Sequence, residues 1–148
     1  MGTKAEVAVA ILYRDNRFLM QLRDDIPGIV YPGQWGFFGG HLEPGETPLV
    51  ALKRELQEEI GYQPISLEQF IRMETEQVVR HVYYGPLLVT LTDLVLQEGA
   101  DLDLLSPVDI EQGFCYSDQV GKTCGIAAPH REILLSFLQS PKMELSGG

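Results

Sequence analysis

The segment GHLEPGETPLVALKRELQEEIGY, residues 40–62, carries the strongest structural signal in the chain, because it frames a helix at both ends. Thr47 is a suitable N-cap residue, and Pro48 takes the first helical position, where the missing N–H of proline costs nothing. Gly61 falls where a left-handed residue commonly ends a helix. The spacing between these signals predicts a helix of about three to four turns.

The predicted helix places an apolar face beside an acidic one. At about 100° per residue, Glu55, Glu58 and Glu59 fall within one arc of the helix surface, and Arg54 lies beyond its edge. The neighbouring stripe of aliphatic side chains should pack on the core: Leu49, Leu52, Leu56 and Ile60. Carboxylates at these spacings repel one another by roughly 0.2–0.5 kcal/mol per pair, so the arrangement favours a cation beside them. Mg²⁺ fits, because it is a hard cation that binds oxygen ligands.

The acidic face also has a simpler explanation. A run of charges on a helix is usually a solvated surface, and Glu55, Glu58 and Glu59 could form no more than that. The double glycine at Gly39 and Gly40 favours the metal site instead, because a tight turn there could bring a backbone carbonyl alongside the carboxylates.

Composition limits the partners that the chain can have. With 148 residues, 45% of them hydrophobic, the sequence predicts a single domain over residues 1–148. The formal charge of −10 is expected to repel nucleic-acid backbones and anionic membranes, so we expect no nucleic-acid or membrane partner. A small phosphorylated substrate would be repelled too, unless a cation lies between it and the carboxylates.

The cysteines and the N-terminus indicate the compartment. Cys115 and Cys124 lie in a polar stretch without the CxxC spacing of a zinc or redox site, so we expect free thiols in a reducing cytoplasm. Residues 1–6 do not have the pattern of a secretory signal, and no segment approaches transmembrane length. The sequence therefore predicts a cytoplasmic protein.

The rest of the chain predicts strands around the helix. Residues 5–12 are small or aliphatic, which is typical of a strand buried on both faces, and residues 17–23 alternate like the return strand of a hairpin. Further strands are expected in three segments rich in aromatic or branched residues: 35–38, 78–84 and 87–96, the last two separated by Gly85–Pro86. Irregular structure is expected in the loops 24–33 and 112–127 and in a loose tail, 142–148. Residues 101–107 are ambiguous, and a last amphipathic helix is expected from Ala128–Pro129.

The fixed positions of residues 40–62 resemble the Nudix box, G-x5-E-x7-R-E-U-x-E-E-x-G-U. All of its glycine and polar positions are matched: Gly40, Glu46, Arg54, Glu55, Glu58, Glu59 and Gly61. Two positions depart from it, since Tyr62 takes a usually aliphatic place and Phe38 replaces the proline common before the double glycine. Neither residue is a metal ligand, so the departures concern local packing. The resemblance implies an α+β chain with the Nudix-type α/β/α sandwich, in which a mixed β-sheet lies between helices.

The resemblance also implies a chemistry. Nudix enzymes hydrolyse a nucleoside diphosphate linked to another group X, and the family implies Mg²⁺ as the cofactor, with Mn²⁺ as a substitute. The implied metal ligands are three carboxylates and one backbone carbonyl: Glu55, Glu58 and Glu59, with Gly39 or Gly40. Arg54 would orient the carboxylate of Glu46 or Glu55 through a charge-assisted bond. The metal would neutralise the diphosphate and lower the pKa of an attacking water.

Other polar residues are candidates for substrate contacts or for the general base. The expected substrate contacts are Arg23, Gly39, His41 and Glu46. Glu98 precedes Gly99 at the predicted end of a strand, where its carboxylate could swing toward the metal and act as the base. The alternatives are a surface ion pair for Arg23 and a solvated turn for Glu98. His81 and His130 lack metal-ligand spacing, so each is expected to be structural or exposed.

Three functions compete at this point. The first is a Nudix hydrolase, the second a nucleotide-binding or regulatory module of the same fold without turnover, and the third an unrelated calcium-binding or acidic interaction protein. The substrate of a hydrolase stays open between a nucleoside triphosphate, oxidised or not, ADP-ribose and other nucleotide sugars, because the loops at 24–33 and 112–127 carry no signature. A homodimer also stays open.

Overall fold

The computed structural model describes residues 4–142, which form a sheet flanked by helices. The strands are β1 Ala5–Arg14, β2 Arg17–Leu22, β3 Trp35–Gly36, β4 Phe38–His41, β5 Glu68–Glu74, β6 Val78–Pro86, β7 Asp101–Leu105, β8 Phe114–Ser117 and β9 Lys122–Gly125. The helices are α1 Pro48–Ile60, α2 Pro107–Gln112 and α3 Ala128–Leu138, with a 3₁₀ turn at Leu91–Asp93. Of the tail expected at 142–148, residues 143–148 lie outside the described residues.

The main sheet is mixed and is organised around β1. Its strand order is β3-β2-β1-β6-β5, with β1 parallel to β6 and antiparallel to β2, while β7 pairs with β2. The predicted hairpin of β1 and β2 is confirmed. β4 pairs antiparallel with the first half of β1, which places Gly39 opposite Val9 and Gly40 opposite Ala8. The double glycine is therefore held against the central strand.

Both faces of β1 are buried, because its side chains alternate between two apolar cores. Val9 and Ile11 face the core that α3 covers. Ala8, Ala10 and Leu12 face the core that α1 covers. The predicted α/β/α layering is confirmed, and α1 and α3 lie on opposite faces of the sheet.

The frame of α1 is as the sequence predicts. The Thr47 hydroxyl accepts a hydrogen bond from the Val50 N–H at 3.3 Å, and Gly61 ends the helix in the left-handed region at φ 66°. The stripe differs in one place, since Leu49 is only half-buried. The side chains of α1 that are buried are Ala51, Leu52, Leu56 and Ile60.

The strand predicted at residues 87–96 is wrong. This segment is irregular apart from its 3₁₀ turn, and it covers the end of α1 instead of joining the sheet. Leu87 and Leu94 are buried in the α1 core, and the Val95 N–H donates to the carbonyl of Ile60 at 3.1 Å. Burial explains the apolar composition of this segment, and composition alone does not distinguish a buried loop from a strand.

Other boundaries also differ from the prediction. β6 runs through Gly85–Pro86 instead of breaking there, and the ambiguous segment 101–107 supplies β7. Strand β5, at Glu68–Glu74, is missing from the prediction because its mixed polar sequence lies at the sheet edge and contains a register shift. The prediction of a loop at 112–127 is wrong, since this segment contains the β8–β9 hairpin. The aromatic side chains of β8 are exposed, so the strand lacks the usual pattern of apolar residues facing the core and polar residues facing solvent.

Candidate functional site

The site begins where β4 leads into the loop before α1, at two glycines whose missing side chains leave room for close neighbours. Gly39 adopts φ 144°, and a Cβ built on it would lie 2.1 Å from the carbonyl oxygen of Ala8. A Cβ on Gly40 would lie 2.5 Å from the carboxylate carbon of Glu55. The missing side chains therefore let β4 lie close to β1 and let the Glu55 carboxylate rest against the backbone.

Arg54 binds several carboxylates and ties the loop before α1 to the helix. Its Nε and Nη2 donate to the two oxygens of Glu46 at 2.8 and 2.9 Å, and Nη2 also donates to the carbonyl of His41 at 3.1 Å. Nη1 donates to Glu55 at 3.0 Å and to Glu58 at 3.4 Å. The Arg54 hydrogen bond is the main reason why the pKa of Glu46 falls to about 2. Arg54 thus contacts both carboxylates that it was expected to orient.

Glu59 has the most unusual environment of the three helix glutamates. The Gly39 N–H donates to its Oε1 at 2.9 Å, and the Gln21 amide lies 3.5 Å from its Oε2. Burial and, less strongly, the negative charge of Glu55 raise the pKa of Glu59 to about 7, against the opposing effects of the Gly39 and Gln21 hydrogen bonds and the positive charge of Arg23. This carboxyl group can therefore take up and release a proton near neutral pH.

The donor chemistry of this face suits a hard divalent cation. Its side chains offer only carboxylate oxygens, and the repulsion between Glu55 and Glu59 is one that a cation would relieve. Within residues 4–142, no three His, Cys, Asp or Glu side chains converge closely enough to form a metal-binding group. The guanidinium of Arg54, with Nη1 on Glu55 and Glu58, supplies the positive charge there.

A cavity of about 550 Å³ lies beside this acidic face, between the glycine turn, the first residues of β1 and β6, and the start of α3. Five of the predicted site residues line it: Arg23, Gly39, Gly40, His41 and Glu55. The other predicted residues of α1 and its loop do not. Glu55 therefore lies at the boundary between the cluster of carboxylates and the cavity.

Three further lining residues were missed by the sequence interpretation: Tyr31, Arg80 and His130. The His130 ring stacks on Phe37, with ring centroids 5.1 Å apart, and Tyr31 meets His130 edge-on at 5.8 Å. The Arg80 Nη2 lies 3.5 Å from the Tyr31 hydroxyl. These residues come from a loop, β6 and α3, so no local pattern groups them. The one available signal was an arginine inside the apolar strand run at 78–84.

His130 is neutral at physiological pH. Its Nδ1 accepts a hydrogen bond from the Phe37 N–H at 2.9 Å. Burial and, less strongly, the positive charges of Arg80 and Arg23 lower the pKa of His130 to about 4. The expectation that His130 is structural or exposed is therefore incomplete, because its ring also lines the cavity.

Arg23 and Glu98 line a second cavity, of about 500 Å³, which Gln21 also lines. The Nε of Arg23 is buried and has no hydrogen-bond partner within residues 4–142. Glu98 is exposed on its turn, and the preceding Gln97 N–H donates to the Glu59 carbonyl at 3.0 Å. The turn is thus attached to the end of α1, but Glu98 does not line the cavity that Glu55 lines.

A family model described as the NUDIX domain matches residues 3–112 of this chain. The chain belongs to the Nudix family. Nucleoside triphosphatase NudI of Escherichia coli (strain K12 / DH10B) is 39% identical over 62 residues, which cover 42% of this chain and 43% of NudI. NudI of Enterobacter sp. (strain 638) is 59% identical over 32 residues, covering 22% and 23% of the two chains. The matches span less than half of the length of these curated relatives.

Solved Nudix structures share the fold. The MutT NUDIX hydrolase from Burkholderia pseudomallei superposes with a TM-score of 0.70 at 18% identity, covering 90% of this chain and 98% of that one. The NUDIX domain of Shewanella oneidensis NrtR, solved with ADP ribose, superposes with a TM-score of 0.69 at 17% identity, covering 93% and 88%. None of the helices within residues 4–142 has the length and apolar character needed to cross a membrane.

Proposed function

We propose that this Nudix protein is a Mg²⁺-dependent hydrolase that cleaves the diphosphate linkage of a nucleotide-type substrate. The observation that carries the proposal is the position of Glu55, which belongs to the carboxylate cluster of α1 and also lines the 550 Å³ cavity. A diphosphate bound at this boundary would contact the metal-binding face while the rest of the nucleotide occupies the cavity. The family resemblance of residues 40–62 supports the same chemistry.

The residues proposed to hold Mg²⁺ are Glu55, Glu58 and Glu59, with the carbonyl of Gly39 or Gly40. When bound, the ion neutralises the charge of the diphosphate and lowers the pKa of an attacking water. Arg54 positions the carboxylates, since its Nε and Nη2 donate to Glu46 and its Nη1 donates to Glu55. Mn²⁺ is the expected substitute, because it also takes carboxylate ligands.

The residues proposed to bind the rest of the substrate offer positive charge and aromatic surface. Arg23 and Arg80 bring guanidinium groups to a chain whose net charge of −10 would otherwise repel an anionic substrate. Phe37, Tyr31 and His130 present rings on which a base can stack. Gly39, His41 and Glu46 are the remaining proposed contacts, and the Glu46 carboxylate is already paired with Arg54.

Two carboxylates are candidates for the proton acceptor. Glu98 is our first candidate outside the box, because its turn is attached to the end of α1 and it shares a cavity with Arg23. Glu59 is the alternative within the box, because its raised pKa of about 7 lets it accept a proton near neutral pH.

The substrate proposed first is a nucleoside triphosphate, since the curated relatives are named nucleoside triphosphatases. ADP-ribose and other nucleotide sugars follow, because the NrtR domain was solved with ADP ribose. We also propose a cytoplasmic location, which the free thiols of Cys115 and Cys124 support.

A second candidate is a nucleotide-binding module without turnover. It is favoured by one observation: among the described residues, the acidic side chains do not converge as a metal-binding group. A module of this kind would bind nucleotides in the cavity and release no product.

The experiment that separates the two functions uses the full chain, Mg²⁺ and a panel of nucleoside triphosphates and nucleotide sugars in ¹⁸O-water. We expect a nucleoside monophosphate or another phosphorylated fragment, with one labelled oxygen on phosphorus. Reactions with a chelator or with Ca²⁺ serve as controls. Binding without product would favour the module, and label found only on a sugar carbon would replace diphosphate hydrolysis with glycosyl transfer to water.

A further inference from the structure

His130 presents a hydrogen-bond donor to the 550 Å³ cavity. Its Nδ1 already accepts the Phe37 N–H at 2.9 Å, so this nitrogen carries no proton. The ring is neutral, because burial and two nearby guanidinium groups lower its pKa to about 4. The single ring proton is therefore on Nε2. Among residues 4–142 the only hydrogen bond of this ring is the one at Nδ1, and Nε2 is not one of the buried unpaired polar atoms, so it is accessible to a ligand. Nε2–H is free to donate to a ligand.

The position of the ring is fixed on three sides. Phe37 stacks on it at an interplanar angle of 14°, and Tyr31 meets it edge-on. A Cβ on Gly36 would lie 2.9 Å from Nδ1, so only glycine leaves room for the imidazole there. A ring held in this way offers a donor of defined direction, at little entropic cost when a ligand binds.

The polar side chains next to His130 are donors as well. Arg80 and Arg23 have only N–H groups to offer, and neither has a carboxylate within ion-pairing distance in the described part of the chain. The Tyr31 oxygen faces the Arg80 Nη2, which leaves its own O–H to donate. The acidic lining residue Glu55 belongs to α1, on the other face of the sheet. Gln77, which also lines the cavity, offers both a donor and an acceptor. The guanidinium, hydroxyl and imidazole groups therefore favour a ligand that supplies acceptors at the α3 end of the cavity.

We propose that His130 is a specificity-determining residue that selects nucleotides whose base carries a keto oxygen over those that carry an exocyclic amino group at the same position. The proposal rests on the proposed function, in which the cavity takes the base. A keto oxygen accepts from Nε2–H and from a neighbouring guanidinium, whereas an amino group points its own N–H donors at protein donors. A base that covers Nε2–H without accepting from it removes the donor from water and leaves it unpaired, which costs more than a hydrogen bond gains, so the discrimination is strong.

The test measures binding of monophosphates, which have no diphosphate bond to cleave. IMP and AMP differ between keto and amino at one exocyclic position, and so do UMP and CMP. The ring nitrogen beside that position also changes, from N–H in the keto member to an acceptor in the amino member, so the test compares the whole edge of the base. By calorimetry with the wild-type chain, we expect the keto member of each pair to bind about 10-fold or more tightly than its amino partner. A keto preference seen in only one pair also supports the proposal, and it shows whether the cavity binds purine or pyrimidine bases.

The variant His130→Phe keeps an aromatic ring on Phe37 and removes the donor. We expect the keto-to-amino ratio to fall to within about threefold, whatever happens to the absolute affinities, because general damage to the cavity affects both ligands alike. His81→Phe is the matched control, since His81 pairs with Glu6 at 2.9 Å outside the cavity, and it should keep the wild-type ratio.

Histidine ¹H–¹⁵N spectra give a readout that does not depend on the variant. Between pH 6 and 8, the ring of His130 should show a protonated Nε2 and an unprotonated Nδ1, and IMP or UMP should shift the Nε2 resonance. Equal affinities within each pair, an unchanged ratio in His130→Phe, or no binding of any monophosphate would overturn the proposal. Failure of the hydrolysis assay alone would leave these affinities unaffected, so the two proposals fail separately.

Discussion

At the scale of single residues, Glu59 differs from its neighbours because it is both charged and enclosed. Its Oε1 accepts a hydrogen bond from the Gly39 N–H. Its pKa is raised to about 7 mainly by burial and, to a smaller extent, by the nearby charge of Glu55. A carboxylate in such a place destabilises the folded protein when it ionises, unless a cation compensates. This cost can be measured in the absence of metal.

We predict that the metal-free protein loses stability through Glu59 as the pH rises from 4.5 to 7. Because the folded pKa is about 7 and the ordinary value is 4.5, the folded state holds the proton that the unfolded state releases, and the free energy of unfolding falls by up to about 3 kcal/mol. Urea denaturation with a chelator at pH 5 and pH 8 measures this change. Glu59→Gln should remove it and be the more stable protein at pH 8.

The comparison has to be made between wild type and variant at each pH. The lowered pKa of His130 contributes stability above pH 6.5 that is lost as the pH falls through about 4. In the wild type, the slope of the free energy of unfolding against pH therefore contains contributions from both Glu59 and His130. Glu58→Gln removes the same charge from a side chain that is 59% exposed, and it should change the slope far less. A Glu59→Gln slope equal to that of wild type would show that burial of this carboxyl costs nothing.

A helix or strand was predictable from the sequence where residues within that element determine its structure, and not where distant residues do. The ends of α1 were predictable, because Thr47 and Gly61 act on the backbone of their own turn. The segment 87–96 was not, because its apolar residues are buried against the end of α1 and no local signal reveals that partner. The β8–β9 hairpin, at residues 114–125, was not predicted because its aromatic residues are exposed, whereas the apolar residues of 87–96 are buried.

Two glycines with positive φ form a matched pair that tests how closely β4 must lie to β1. Gly39 and Gly45 both have positive φ, at 144° and 83°, but a Cβ on Gly39 would lie 2.1 Å from the Ala8 oxygen while a Cβ on Gly45 meets nothing within 4 Å. We expect Gly39→Ala to cost more than about 3 kcal/mol or to prevent folding, and Gly45→Ala to cost about 1–2 kcal/mol of backbone strain. Thermal and urea denaturation would decide, and equal losses would show that β4 can move away from β1.

In the whole molecule, the glutamates of the candidate site could be predicted from the sequence, and the grouping of residues around its cavity could not. Glu55, Glu58 and Glu59 lie on one helix, so their spacing alone predicted that they share one face of it, while within residues 4–142 their carboxylates do not converge as a metal-binding group. Arg23 was singled out from its own neighbours, but its cavity with His130 depends on the packing of α3 across the sheet. Residues that far apart in sequence meet only through tertiary structure, and one sequence does not reveal such contacts.

The proposed role of Glu98 as general base depends on how the turn after residues 87–96 is attached to α1. The Gln97 N–H donates to the Glu59 carbonyl at 3.0 Å, so the residue before Glu98 is attached to the last turn of α1, and Glu98 itself lines a cavity with Gln21 and Arg23. If Glu98 accepts the proton of the attacking water, Glu98→Gln lowers kcat by roughly 10²–10⁴-fold and leaves Mg²⁺ affinity nearly unchanged. Glu59→Gln should lower both. Single-turnover rates and Mg²⁺ titrations separate the two outcomes, and a Glu98→Gln enzyme within a few-fold of wild type would assign the proton to Glu59, whose raised pKa already suits that task.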